Sequence, residues 1–144
     1  MVGGGPLVLA LAASAALAAG AADAQDFMGA QTPSHNIFCQ ASPPGQDQPG
    51  PELRCDIQHA ASRPPRPPRN CQLSWGDAFV IDSTGPGRRL CHGDTTANPD
   101  DPVIAYGQQW RAYGFICTSL TSGLTCVNTE GHGFSISRAA QKVF

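Results

Sequence analysis

The sequence predicts an all-β domain, a small disulfide-stapled antiparallel barrel or sandwich, behind an N-terminal signal peptide. Three observations lead there. Short β-like runs alternate with Gly/Pro/Asn/Asp clusters. No stretch after the leader carries a helical period. All six cysteines lie after the leader, and an even number in a small exported chain reads as a disulfide framework.

In chain order, residues 1–24 read as the signal. Pro6 to Ala19 is an unbroken run of small and apolar residues, followed by Ala22, Asp23 and Ala24, the small-x-small pattern that signal peptidase reads. The run is too short and too rich in Ala and Gly for a good membrane span, so none is expected after cleavage. Residues 25–33 read as an extended lead-in, and 34–144 as a single domain. Strands are expected near Ile37–Gln40, Leu53–Gln58, Ala78–Asp82, Arg89–His92, Val103–Tyr106, Ala112–Ser119, Leu124–Thr129 and Phe134–Ser137. The tail, Arg138 to Phe144, fits either a turn of helix or an edge strand. Ala41 to Glu52 is rich in Pro and Gly and must be a surface excursion. "NIFCQ…ELRCDI" and "GFICT…GLTCVN" form a faint internal repeat, each a Cys-bearing strand, a loop, then Leu-x-Cys.

One hairpin can be counted. With Thr121 and Ser122 at the centre of a turn, residue 119 faces 124, 118 faces 125, and Cys117 faces Cys126. That opposition suits a disulfide. Proximity then pairs Cys39 with Cys55 and Cys71 with Cys91, one connectivity among the 15 that six cysteines allow. There is no C-x-x-C pair, and oxidised cysteines cannot ligate metal, which argues against zinc and against a catalytic thiol. No cofactor is expected.

The formal net charge is −2, with 9 Lys+Arg against 11 Asp+Glu. This excludes a nucleic-acid binder, which needs a basic face to displace counterions. Within "TEGHGFSIS", His132 beside Glu130 could act as a general base oriented by an acid. The competing reading is a tight connection in which Gly131 and Gly133 supply positive φ and His132 sits exposed at the tip. No G-x-S-x-G, H-E-x-x-H or S-x-x-K supplies a partner.

Asp94, Asn98, Asp100 and Asp101 offer hard oxygens for calcium, but their spacing departs from the EF-hand pattern and suits Asx turns better. Trp75, Trp110 and Tyr106 could form a platform for a protein or glycan, or pack the core with Tyr113. Arg63, Arg66 and Arg69 fall at every third position of "SRPPRPPR", so a polyproline II helix would place them on one edge, as a docking ladder or simply on a stiff connector. His35 and His59 read as loop or strand-end residues.

The chain resembles a family of small secreted bacterial proteins catalogued as a domain of unknown function. The stretches that carry the resemblance include "TPSHNIFC" (32–39), "LRCDI" (53–57), "CHGDT" (91–95), "YGQQW" (106–110) and "GLTCVNTEGHGFSISR" (123–138), with all six cysteines kept. The resemblance implies a secreted or periplasmic disulfide-bonded domain and no particular activity. His35 departs from it, since a small residue such as Gly is expected there. The function expected is therefore a non-enzymatic exported binding or interaction module, inhibitor-like proteins included, acting on an extracellular or envelope protein or glycan. The alternatives are an envelope hydrolase using His132 and Glu130, or a structural or stress-resistance domain with no specific ligand.

Overall fold

In the computed structural model the described residues are 1–5 and 26–144. Residues 6–24 of the signal peptide reading, its apolar run and cleavage motif, lie outside the described residues. Among the described residues there are ten strands and no helix. They are β1 (Met28–Gln31), β2 (Ile37–Ser42), β3 (Glu52–Ile57), β4 (Ala78–Asp82), β5 (Arg88–Arg89), β6 (Gln109–Ala112), β7 (Phe115–Leu120), β8 (Gly123–Val127), β9 (Gly133–Ile136) and β10 (Gln141–Val143). They form two five-stranded antiparallel meanders, β1-β2-β3-β4-β5 and β6-β7-β8-β9-β10. The two sheets share one core, so the domain is a sandwich and not a closed barrel.

The faint repeat becomes concrete in the register. In the first sheet Ala30, Cys39, Cys55, Phe79 and Arg89 lie side by side across the strands. In the second sheet Trp110, Cys117, Cys126, Phe134 and Val143 do the same. Two residues along, Leu53 faces Ile81 in one sheet and Leu124 faces Ile136 in the other. Each meander thus presents the same inner pattern of paired cystine, Leu, Phe and Ile. The alternation of strand residues sends these side chains to one face, and the two faces stack. Phe79 and Phe134 meet with ring centroids 5.8 Å apart, and Cys55 Sγ lies 3.9 Å from Cys126 Sγ. All of these residues are buried except the edge members Arg89, Trp110 and Val143.

Three disulfides are present: Cys39–Cys55, Cys71–Cys91 and Cys117–Cys126. The first and third join directly opposed residues of neighbouring strands, with Cα atoms 4.0 Å apart in both. The register counted from Thr121 and Ser122 is the one observed. Four sulfurs therefore cluster within 4.8 Å at the centre of the core. Each is bonded to its partner, which leaves no thiolate for a metal. The second disulfide lies outside the sandwich core and ties the long β3–β4 connection to the segment after β5.

Four strand expectations differ from the structure. The run expected over Ala112–Ser119 breaks at Tyr113 and Gly114, whose φ values of 48° and 89° make a two-residue turn between β6 and β7. Val103–Tyr106 is not a strand: Val103 makes a single bridge to Gln31, and the chain then turns at Gly107 with φ 83°. The run expected at Arg89–His92 contracts to Arg88–Arg89, because His92 leaves the sheet to bridge Ser74. The lead-in is not a mere approach to the domain, since it supplies edge strand β1. The tail forms the opposite sheet's edge, β10.

Removing either central staple should cost about 2–5 kcal/mol, the usual loss for a disulfide in a small exported domain. The paired variants Cys39→Ala/Cys55→Ala and Cys117→Ala/Cys126→Ala should show it as lowered urea midpoints of similar size. Indifference of either midpoint would mean that the stacked cystines do not hold the sheets.

Candidate functional site

Loop lengths make the two ends of the sandwich different. At one end stand the β1–β2 connection (32–36) and the start of the 58–77 connection from the first sheet. They face the β7–β8 turn and the residues after β9 in the second. Between them lies a cavity of about 490 Å³, within the range of small-molecule sites. His35, His59, Tyr106 and Arg138 line it, with hydroxyls from Thr32, Ser34, Thr121, Ser122 and Ser137. No Asp or Glu lines it.

His35 is held there under strain. Its φ is 54°, the left-handed region that favours glycine. Gln31, 1% exposed, fixes the ring. The Gln31 side-chain nitrogen donates to the carbonyls of Pro99 (2.9 Å) and Asp101 (2.6 Å), so its oxygen is the acceptor that His35 Nδ1 meets at 2.6 Å. Nδ1 must then carry the proton, and Nε2 is the nitrogen left for other partners. His59 is placed by the Asn36 amide, which donates to the His59 carbonyl (3.0 Å) and accepts its N–H (2.8 Å).

The opposite end is closed. Buried Asn128 donates to the carbonyls of Asp82 (3.1 Å) and Gly85 (2.9 Å) of the first sheet. Its oxygen accepts the N–H groups of Glu130 (3.0 Å) and His132 (3.1 Å). One amide thereby shapes the β8–β9 turn and locks it to the β4–β5 turn. Glu130 does not orient His132; its carboxylate accepts the Gly85 N–H at 2.7 Å. The His132 side chain is exposed on the turn and makes no described hydrogen bond. Gly131 supplies the positive φ, 79°. Gly133 serves differently from the expectation: its φ is not positive, and a β-carbon there would overlap the Cys126 carbonyl.

A third polar cluster covers the outer face of the first sheet. Arg54 of β3 pairs in bidentate fashion with Asp56 (2.8 and 2.9 Å) and reaches Asp94 at 2.7 Å. Asp56, nearly fully buried, also accepts the Thr96 N–H at 2.9 Å, and the Thr96 hydroxyl donates to the Phe38 carbonyl. These bonds hold the 92–96 segment on the sheet. His92 Nδ1 lies 2.6 Å from the Asp94 carbonyl and Nε2 lies 2.8 Å from Asp77 Oδ1. Both of these partners can only accept, so holding both at once calls for the imidazolium, whereas Arg54 Nη2, 3.0 Å from the same Nδ1, can only donate and favours the neutral ring. Burial opposes that charge, but the bonds to Asp77 and Asp94 and the nearby carboxylates outweigh it and raise the His92 pKa above 6.5. Arg54 draws the exposed Asp94 carboxyl below its ordinary range.

The other sequence candidates are dispersed. Asp94 is taken by Arg54, while Asn98 bonds Asp101 through its amide and accepts the Asp100 N–H, the Asx-turn arrangement. Trp110 is half-buried and packs on the core with Tyr113, whose hydroxyl donates to the Asp26 carbonyl. Trp75 donates to the Pro65 carbonyl at 3.0 Å, pinning the proline-rich connector to the body. Arg63, Arg66 and Arg69 stay exposed on that connector.

Of the expected binding residues, only Tyr106 reaches the cavity. His35, His59 and Arg138 come from three separate loops, and no spacing in the sequence announces them. The one signal in the sequence is position 35, where a small residue such as glycine is expected and a histidine stands. Residues 7–144 match one family model, described as a family of unknown function (DUF6636). No curated protein and no solved structure matches the chain.

Two outcomes follow from the Arg54 cluster. Asp56→Ala should cost about 3 kcal/mol, the low end for breaking a buried pair because Asp94 still neutralises Arg54; chemical denaturation measures it. The stabilisation from His92 is fully present below its unfolded pKa near 6.5 and is lost as pH rises through the raised folded value. The thermal midpoint of the native protein should therefore decline above about pH 6.5 more steeply than that of His92→Gln. Parallel pH profiles would show that folding leaves the His92 pKa unshifted.

Proposed function

The chain belongs to the DUF6636 family, and on that footing we propose that it is an exported, non-enzymatic binding module whose ligand site is the cavity at the open end of the sandwich. The carrying observation is the contrast between the ends. One is plugged by Asn128; the other holds a cavity of about 490 Å³ rimmed by polar groups on a scaffold pinned by two stacked cystines. A rigid wall with loop-borne polar groups is the usual setting of a recognition site.

Three disulfides and no free cysteine suit an oxidising compartment. Among the described residues, no helix is long and apolar enough to cross a membrane. A cleaved leader and a secreted or periplasmic location complete the proposal.

The bonding in the cavity favours binding over hydrolysis. His35 Nδ1 is given to an amide oxygen and not to a carboxylate. The Ser34 hydroxyl meets Thr32, and the Ser137 hydroxyl donates to the Ala140 carbonyl. No described hydroxyl is hydrogen-bonded to a histidine, the pairing an activated nucleophile needs.

Ser122→Trp places an indole in the mouth of the cavity from an exposed turn. Saturation-transfer NMR against a mixture of sugars, amino acids and organic acids should show ligands retained by the native protein and lost in Ser122→Trp, with His132→Ala unaffected. Ligands that survive the indole would place the site elsewhere. Intact-mass measurement of the exported protein should give a chain beginning at Gln25.

A further inference from the structure

We infer that the end cavity takes a small anionic, hydroxyl-rich ligand, of the class of carboxylate-bearing sugars. The inference rests on the cavity being the binding site and adds the chemistry it selects. The lining holds three side chains able to carry positive charge, His35, His59 and Arg138, and no acid. Over the whole chain 9 Lys+Arg and 4 His stand against 11 acids, close to balance, so a lining with three such side chains and no acid departs from the background composition. None of the three forms a described ion pair, unlike Arg54 and Arg88, which sit among carboxylates. A concave, acid-free, cation-bearing wall concentrates a positive potential, and its complement is a carboxylate or sulfate.

His35 strengthens the case because its place is costly. A non-glycine residue at φ 54° carries strain, and such strain persists where surroundings over-determine it. Here a fully buried glutamine, itself anchored to two carbonyls, does so. The bond to Gln31 directs the ring through Nδ1 and leaves Nε2 unengaged among the described contacts. Charge alone does not complete the site. Tyr106 and Leu120, 45% and 50% exposed, form an apolar lip, and Ser122 and Thr121 add hydroxyls beside it. An aromatic with neighbouring hydroxyls suits the carbon skeleton and ring hydroxyls of a sugar.

The test is a ¹H–¹⁵N NMR titration of the mature protein with three probes: glucuronate, glucose and inorganic sulfate. Glucuronate should shift the amides of residues 34–37, 59, 120–123 and 138, and should bind about tenfold tighter than glucose, the gain of one charge-assisted hydrogen bond. Sulfate should shift the same amides more weakly. His35→Gly relieves the strain of φ 54° but leaves the buried Gln31 oxygen without its partner, so the thermal midpoint should stay close to the native one while glucuronate weakens. Arg138→Gln should weaken it too. If glucose and glucuronate bind equally, the charge selectivity is overturned while the binding site stands. If sulfate equals glucuronate, the sugar part of the inference is overturned. If no probe moves the cavity amides, both this inference and the binding-site reading fail.

Discussion

The fold depends on one contact at its centre, the stacking of the Cys39–Cys55 bridge on the Cys117–Cys126 bridge, with Cys55 and Cys126 sulfurs 3.9 Å apart. Each bridge fixes the register of the central hairpin of its own sheet, because a one-residue slip would send every side chain to the wrong face. Their mutual contact then fixes how the sheets sit on one another. Phe79 beside Cys55 and Phe134 beside Cys126 extend the same layer, and the Leu–Ile pairs form the next. A chain with few large apolar residues thereby obtains its core from sulfur, the three phenylalanines Phe79, Phe115 and Phe134, and a handful of aliphatics.

The outer faces are treated unequally. The first sheet is covered by the 92–96 segment, which is held by charge and not by apolar contact: Arg54 bridges Asp56 to Asp94, and His92 spans Asp94 and Asp77. This cluster holds a loop in place while the cystines hold the sheets, so acid, base and reductant should act on different parts of the molecule. Gln31 performs a comparable task at the open end, tying the 99–102 segment and His35 to strand β1 through a single amide.

The strands that alternate apolar with polar residues were legible in the sequence, and so was the hairpin whose loop could be counted. Ala78–Asp82 is a strand at the expected limits, and Cys117 faces Cys126. The misses share a cause. Ala112–Ser119 read as one run, with Gln109–Arg111 left out of it, because Tyr113 takes a positive φ that its side chain does not advertise. Met28–Gln31 and Gln141–Val143 are edge strands whose partners supply the order that their own composition lacks. The cavity was illegible because it is assembled from residues up to about a hundred positions apart, brought together by topology and not by a motif. His132, the most conspicuous residue of the best-patterned stretch, lies on the closed end instead.

The likeness of the two meanders stops at their connections. The first sheet has connections of 32–36, 43–51 and 58–77 where the second turns in 113–114, 121–122 and 128–132. Ten of the thirteen cavity-lining residues sit in connections between strands, Ile37, Leu120 and Gly123 being strand ends, and none of them is a cystine, a Phe of the shared layer or a Leu of the Leu-x-Cys pairs. Sequence change at the open end therefore draws little on folding stability. The same stapled frame can accept a different rim without being rebuilt, so under the proposed binding role a change of ligand would not require a change of fold.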